Sequence, residues 1–199
     1  MRLKHVAPPD SCKEIVKQSL SRSRRTESPV FTSYTAMLDE GVDPEISAHH
    51  PVYSAGLNSV LEATLLKDAI FTGWNYIVFN RNQEKSEPLL TAQVPVGALE
   101  ATKTQPHQAH LSYSTFGRDF IKAIHKAEKL RAKSEEEFEV RVLEVPELYS
   151  ISLWLHGKHN LFLPLPPGPK ELKPFVLTAE KRFLDILRDV AEQQSPMLP

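Results

Sequence analysis

Cysteine is nearly absent from this chain, which carries only Cys12 among its 199 residues. A single cysteine cannot form an internal disulfide, whereas a small secreted protein usually contains several cysteines. Cysteine-based zinc and iron–sulfur sites are excluded within one chain for the same reason. The first residues contain no apolar stretch of the kind a secretory signal needs. We therefore expect a cytoplasmic protein in which Cys12 is an inert thiol.

Glycine is also scarce, and the motifs that depend on it are missing. The 7 glycines form neither a G-x-G-x-x-G pattern nor a phosphate-binding loop. The sequence contains no G-x-S-x-G elbow and no HExxH helix motif either. These absences argue against nucleotide cofactors bound in the standard modes and against the common serine hydrolases. We expect no cofactor, and the sequence leaves open whether the protein is an enzyme.

Long apolar runs and a strong net charge are lacking as well. The longest apolar runs have strand length, so no segment is expected to span a bilayer. The formal net charge of −1 provides no global field that would attract nucleic acid or an anionic membrane. We therefore expect neither a nucleic acid nor a membrane as the general partner. Any electrostatic specialisation must be local.

Composition and periodicity predict an α+β fold. The hydrophobic fraction of 41% and the charged fraction of 25% are those of a globular protein. We expect residues 51–199 to form one domain with a single, mainly antiparallel sheet of about five to seven strands packed by helices. Residues 1–50 are predicted to form an N-terminal extension, a basic arm with short helices. A helix is expected from Asp10, with its apolar side chains on one narrow face.

The predicted elements follow from changes in hydrophobic period. From residue 74 onward the order strand, strand, strand, helix occurs twice, which suggests a βββα pseudo-repeat without residue-level similarity. Helices are predicted at 28–41, 55–70, 116–133 and from Thr178 onward, strands at 74–80, 89–96, 109–115, 138–145, 148–156 and 160–165, and a loop at 42–53.

Two histidines near the end of a predicted hairpin suggest a metal site. Gly157 and Lys158 fit a two-residue type II′ turn, which would place His156 opposite His159. Cβ atoms at opposed positions lie about 4.5–5.5 Å apart, so two imidazoles there can share one ion. A zinc site needs further ligands, and the simpler interpretation is a solvated hairpin tip. The candidates for the remaining ligands are His107 and His110, followed by His49 and His50.

The predicted helix 116–133 carries a stripe of basic side chains. Such a stripe can follow a phosphate backbone, which makes a nucleic-acid-binding protein one alternative. The simpler interpretation is the solvated face of an amphipathic helix, because lysine is a good helix former. The stripe consists of Arg118, Lys122, Lys126, Lys129 and Lys133.

The hairpin of residues 148–165 is apolar on both faces. In our predicted register Tyr149 lies on one face and Trp154 on the other, and Phe162 belongs to the same strand pair. A strand pair of this kind is either covered by two layers or presents one face to another molecule. We therefore predict a non-catalytic protein that binds a protein partner or forms an oligomer, with Tyr149, Trp154 and Phe162 as partner-binding residues. A histidine-based metal protein or metal-dependent enzyme is the other alternative.

Overall fold

The computed structural model describes residues 2–23, 44–81, 88–100, 108–112, 116–130 and 136–194. The predicted helix at 28–41 lies outside these residues, as do His107 and Lys133. No helix in the described ranges combines the length and the apolar character needed to cross a membrane.

Six α-helices and nine strands are formed within the described residues. A short 3-10 turn, Pro146–Leu148, separates β6 from β7. The helices are α1 (Asp10–Ser23), α2 (Leu57–Leu61), α3 (Leu65–Asp68), α4 (Val96–Glu100), α5 (Phe116–Leu130) and α6 (Glu180–Gln194). The strands are β1 (Arg2–Lys4), β2 (Pro44–Ser54), β3 (Ile70–Asn80), β4 (Pro88–Pro95), β5 (His110–Ser112), β6 (Glu137–Val145), β7 (Ser150–His156), β8 (Leu161–Leu165) and β9 (Thr178–Ala179).

The α+β class is confirmed, but the sheet has more strands than predicted and is partly parallel. Nine strands pair where about five to seven were expected, and the pairing is mixed. Strand β6 runs antiparallel to β7 but parallel to both β1 and β2. Parallel strands come from distant parts of the chain and are not joined by a hairpin, so no turn motif in the sequence predicts their pairing.

The chain divides into two compact units. The first unit contains residues 1–6, 51–72 and 119–199, and the second contains residues 7–50 and 73–118. In the first unit, β7 pairs antiparallel with β6 and β8, and β9 extends the order beyond β8.

Aromatic stacking forms the centre of the first unit's core. The rings of Phe162 and Phe183 are stacked with their centroids 4.1 Å apart, and Trp154 stacks on Phe162 at 6.2 Å. Phe183 comes from α6, whose buried stripe also includes Leu187 and Val190, as the helical spacing predicted. Burial of each such side chain stabilises the fold by about 1.5–3 kcal/mol. This packing fixes α6 against the face of β7 and β8 that carries Trp154.

The second unit combines α1 with the antiparallel strands β3, β4 and β5. Helix α1 begins at Asp10 as predicted, and its buried residues include Ile15, Val16 and Leu20. The hydroxyl of Ser19 accepts a hydrogen bond from the backbone N–H of Ala109 at 2.8 Å. The described part of the predicted N-terminal extension is therefore divided: β1 pairs with β6 in the first unit, whereas α1 belongs to the second unit. The predicted boundary at residue 50 stays a prediction.

Two local predictions are corrected. Residues 42–53 were predicted as loop, yet Pro44–Ser54 form β2, part of which pairs with β6. The predicted helix 55–70 is instead two short helices, α2 and α3. Ala63 lies between them with a φ of 60°, a left-handed conformation that a continuous helix cannot contain.

The hairpin of β7 and β8 has a different register from the one predicted. Trp154 pairs with Phe162 and Leu155 with Leu161, so the connection is longer than the predicted two-residue turn and His156 no longer opposes His159. A shift of one residue moves side chains to the opposite face. Trp154 consequently shares its face with Phe162.

The last helix was predicted to start at Thr178, but Thr178 belongs to β9 and α6 begins at Glu180. The predicted order of strands and helices from residue 74 is present, with α4 and β9 added to it. The pseudo-repeat itself stays a prediction.

Candidate functional site

A hydrogen-bond network surrounds His156 at the end of β7. The side-chain oxygen of Asn160 lies 2.9 Å from Nε1 of Trp154 and 3.0 Å from Nδ1 of His156. The Asn160 amide nitrogen donates to Oε2 of Glu180 at 2.9 Å. Asn160 therefore connects the hairpin to the first residue of α6. We call these four residues the His156 network.

The network determines which nitrogen of His156 carries the proton. Because its amide nitrogen faces Glu180, Asn160 presents its oxygen to the tryptophan and the histidine. An amide oxygen only accepts hydrogen bonds, so Nδ1 of His156 is assigned as the donor. Trp154 packs edge-on against the imidazole at 5.1 Å and further fixes the ring. The network orients His156, as hydrogen bonds to Nδ1 commonly do for functional histidines.

Arg141 lies against the same tryptophan. Its guanidinium carbon is 4.8 Å from the centre of the Tyr53 ring and 4.9 Å from that of Trp154. Its Nε donates to Oε1 of Glu139 at 2.7 Å, and both side chains are mostly covered. The cation is thus already paired and stacked within the first unit. This arrangement is typical of a structural contact on a sheet face.

Among the described residues, the predicted metal ligands do not form a metal-binding group. Across the described ranges, no group of three or more histidine, cysteine, aspartate or glutamate side chains is arranged to hold a metal ion. His159 lies in the loop after β7, where its backbone N–H donates to Glu136 at 3.1 Å. His110 is an exposed residue of β5, and His50 is buried in β2. His49 packs near Trp74 and Tyr76, with centroids 6.3 and 6.1 Å away.

The three predicted partner-binding residues have unlike environments. Trp154 and Phe162 are only 3% and 0% exposed, so both are core residues and offer no surface to a partner. Tyr149 is 79% exposed. Tyr149 ends the 3-10 turn Pro146–Leu148, and its φ of 49° and ψ of 32° are left-handed. Of the predicted set, only Tyr149 is available to another molecule.

Tyr149 borders an open groove of about 420 Å³ in the first unit. Its backbone N–H donates to the carbonyl of Pro146 at 2.9 Å, which holds the turn. The proline-rich connector forms one wall, and the last turns of α6 form the other. We call this surface the Tyr149 groove; it is lined by Leu148, Tyr149, Pro167, Gly168, Pro169, Lys170, Glu171, Val190, Gln193 and Gln194.

The lining of the Tyr149 groove is apolar and electrically balanced. Leu148 and Val190 are buried and contribute the apolar floor. Lys170 and Glu171 are adjacent, with Nζ and Oε1 3.9 Å apart, so their charges offset each other. Gln193 and Gln194 add amide groups that can both donate and accept hydrogen bonds. The groove therefore suits an uncharged ligand that has polar backbone groups.

The basic residues of α5 lie on its solvent face. Lys122, Lys126 and Lys129 are exposed, while Phe120, Ala123 and Ala127 are buried. Nζ of Lys122 is 3.2 Å from Oδ1 of Asp119, so this lysine is partly neutralised. Arg118 is exposed on the first turn of the same helix, and Lys133 lies outside the described residues. The predicted helical stripe is present from Lys122 to Lys129.

Cys12 is fully buried in α1, and its environment disfavours the thiolate. Burial raises the pKa of the Cys12 thiol, although Tyr76 lies close enough to lower it somewhat. Burial also raises the pKa of Tyr76 well above its usual range. Both groups stay protonated at neutral pH. This agrees with the expectation that Cys12 is an inert thiol.

Asn160 and Glu180 were missed by the sequence reasoning. Neither belongs to a motif, and their roles depend on the loop between β7 and β8 and on the start of α6 after β9. The groove residues of α6, Gln193 and Gln194, were missed because a polar helix end is ordinarily read as solvated. Tyr149 itself was predicted, because both faces of its hairpin are apolar.

Comparison of the chain with protein-family models, curated proteins and solved structures finds no match. No residue role is therefore carried over from another protein. The roles proposed below rest on exposure, contacts and charge within this chain.

Proposed function

We propose that the protein binds another protein through the Tyr149 groove and that this binding is its function, without catalysis. The occupant is an extended, uncharged segment of the partner that inserts apolar side chains. The observation that carries the proposal is Tyr149 itself, a large aromatic residue that is 79% exposed and held in a left-handed turn.

The ring of Tyr149 adds little to the stability of the fold, because it is mostly exposed. A left-handed conformation costs a residue with a side chain about 1–2 kcal/mol relative to the right-handed form. A ring that is mostly solvated regains little of this cost through burial. Tyrosine is among the residues that dominate binding energy in protein interfaces, where it packs into an apolar setting and keeps its hydroxyl hydrogen-bonded. The exposed ring is therefore well placed to anchor a partner.

The chemistry of the groove favours a peptide segment without charge. A charged occupant would find only Lys170 and Glu171, which are adjacent and of opposite sign, so the lining carries no net charge. An extended peptide can exchange backbone hydrogen bonds with the amides of Gln193 and Gln194 while its side chains contact Leu148 and Val190. A groove bordered by a proline-rich wall needs little reorganisation on binding, which limits the entropic cost of association.

Catalysis at this surface is disfavoured by its residue types. The ionisable side chains that line the groove are Tyr149, Lys170 and Glu171, and the lysine and glutamate face each other. The described lining contains no histidine, cysteine or serine to act as nucleophile or base. His156 lies in its own network and is not part of the groove lining.

Site-specific photocrosslinking tests the proposal. A photoreactive phenylalanine analogue replaces Tyr149 in cells that express the protein, and mass spectrometry identifies the crosslinked peptide. We expect one protein to be captured through an uncharged segment with apolar residues. The same analogue at Lys158, which is exposed in the loop between β7 and β8, is the matched control and should not capture that segment.

A synthetic peptide with the captured sequence then provides the affinity. Tyr149→Asn should weaken binding by tenfold or more, since anchor residues contribute at least about 1.4 kcal/mol. Asparagine tolerates the left-handed conformation, so the turn should keep its structure and stability. Crosslinks scattered over many unrelated peptides, or equal capture at Lys158, would contradict the proposal.

A further inference from the structure

A second surface in the first unit carries exposed lysines and an exposed valine. With 3.6 residues per turn, the side chains of Lys122, His125, Lys126 and Lys129 fall within an arc of about 100° on α5. All four are exposed. Of the acidic residues of this helix, Glu128 lies outside that arc, whereas Asp119 lies at its edge and pairs with Lys122 at 3.2 Å. The solvent face of α5 is therefore locally basic, although the chain as a whole has a net charge of −1.

The segment Lys173–Leu177 lies beside this basic face. Nζ of Lys122 is 6.0 Å from the centre of the Phe175 ring, which places Phe175 beside the basic face. Phe175 has a φ of 60°, and its N–H donates to the carbonyl of Pro164 at 2.9 Å, so the backbone is held in this shape. Val176 is 45% exposed, which makes it one of the exposed large apolar residues of the described chain. Lys173 adds a further exposed cation.

We propose that this surface, the solvent face of α5 together with Lys173 and Val176, binds an anionic phospholipid membrane from one side. Lys126, Lys129 and Lys173 are exposed cations, and Lys122 is a fourth whose charge Asp119 partly offsets. Exposed lysines of this kind attract acidic lipid. An exposed valine beside them supplies the apolar contact with the acyl boundary that peripheral proteins use.

Other partners fit this surface less well. Protein interfaces are depleted of lysine, so an acidic protein would be an unusual occupant of a lysine-rich face. A nucleic acid would bind the lysines but would gain nothing from an exposed valine, and the Phe175 ring is already contacted by Lys122. The combination of lysine and exposed aliphatic side chain favours the lipid surface. This inference does not depend on the Tyr149 groove.

Each exposed lysine and Val176 should contribute separately to the membrane affinity. A lysine near an anionic leaflet contributes about 1 kcal/mol, which corresponds to about a fivefold change in partitioning. Neutralising Lys126 and Lys129 together should therefore weaken binding about 25-fold. Val176→Ser should weaken membrane binding about fivefold, since about half of the Val176 side chain is exposed and would move from water into the membrane.

Vesicle sedimentation with the full chain tests the proposal. The vesicles contain phosphatidylcholine alone or phosphatidylcholine mixed with phosphatidylserine, each at low and at physiological salt. We expect binding to the acidic vesicles only, weakened by salt because the charges are solvent-exposed. The test variants are K126Q/K129Q and V176S, whose side chains are exposed, so the fold should be retained. The matched control is K13Q/K17Q on α1, where both lysines are exposed and the same charge is removed.

The binding of the variants distinguishes a membrane from a nucleic acid as the partner. Loss of binding in K126Q/K129Q and V176S with full binding in K13Q/K17Q supports the membrane surface. Absence of binding to acidic vesicles at low salt overturns the proposal, as does equal binding to neutral vesicles. Binding to a duplex or single-stranded oligonucleotide that K126Q/K129Q weakens and V176S leaves unchanged would assign the surface to nucleic acid instead.

Discussion

Replacing Asn160 with alanine should destabilise the protein through one buried tryptophan. The side chain of Asn160 accepts from Nε1 of Trp154 at 2.9 Å and donates to Glu180 at 2.9 Å. Trp154 is 3% exposed, so its indole N–H would be left in the interior without an acceptor. His156 and Glu180 are only partly buried, and water can replace the bonds they lose.

The magnitude follows from the penalty for an unsatisfied buried donor. Such a group costs about 1–3 kcal/mol, whereas a bond replaced by water costs much less. We therefore expect Asn160→Ala to lower the free energy of unfolding by about 2 kcal/mol. For a chain of 150–250 residues, 1 kcal/mol shifts Tm by about 2–4 °C, which gives a decrease of about 4–8 °C here.

Thermal unfolding followed by circular dichroism measures this change, and near-ultraviolet circular dichroism reports on the environment of Trp154. Gln18→Ala is the control, since it also removes an amide side chain but from the exposed face of α1, where changes stay within about 0.5 kcal/mol. An unchanged Tm for Asn160→Ala would show that Trp154 Nε1 is not held by Asn160, and the tautomer assigned to His156 would lose its basis.

Three further predictions concern the fold. Gly157→Ala should lower the stability by about 1–3 kcal/mol in urea unfolding, because a Cβ there would lie 2.9 Å from a ring carbon of buried Phe138. Burial raises the pKa of Glu144, so its carboxylate costs stability as the pH rises through the folded pKa. Glu144→Gln should therefore be more stable than the wild type at pH 7 and equally stable below the ordinary glutamate pKa, as measured by urea midpoints across pH. Cys12 should resist alkylation in the native protein and react fully after unfolding, as followed by mass spectrometry.

Each of these predictions has a clear contrary result. Wild-type stability in Gly157→Ala would mean that the loop after β7 can move away from Phe138. A constant difference between Glu144→Gln and the wild type at every pH would remove the titration as its cause. Rapid stoichiometric alkylation of native Cys12 would show that α1 opens readily.

The hairpins and long helices were predictable because their side-chain periods are local properties of the sequence. Strand β6 alternates buried Phe138, Val140 and Val142 with more exposed neighbours, and α6 follows a helical stripe through Phe183 and Leu187. Strand β2 was missed because it pairs in parallel with the distant β6, so its neighbours in sequence carry no sign of the partner.

The candidate site was predictable only in part. Tyr149 was named from its apolar setting, but its left-handed φ of 49° depends on the turn after β6, which the residue type does not reveal. Trp154 and Phe162 were assigned to a partner surface because both faces of the hairpin are apolar. The sequence does not show that Phe183 of α6 covers their face and stacks on Phe162 in the core.

The affinity of the captured partner segment for the wild type and for Tyr149→Asn tests the central claim most directly. Calorimetric titration of both proteins with the synthetic segment gives the two Kd values under the same conditions. The Tyr149 groove predicts a Kd at least about tenfold higher for Tyr149→Asn with an unchanged Tm. Equal Kd values for the two proteins would contradict the account and remove Tyr149 as the anchor.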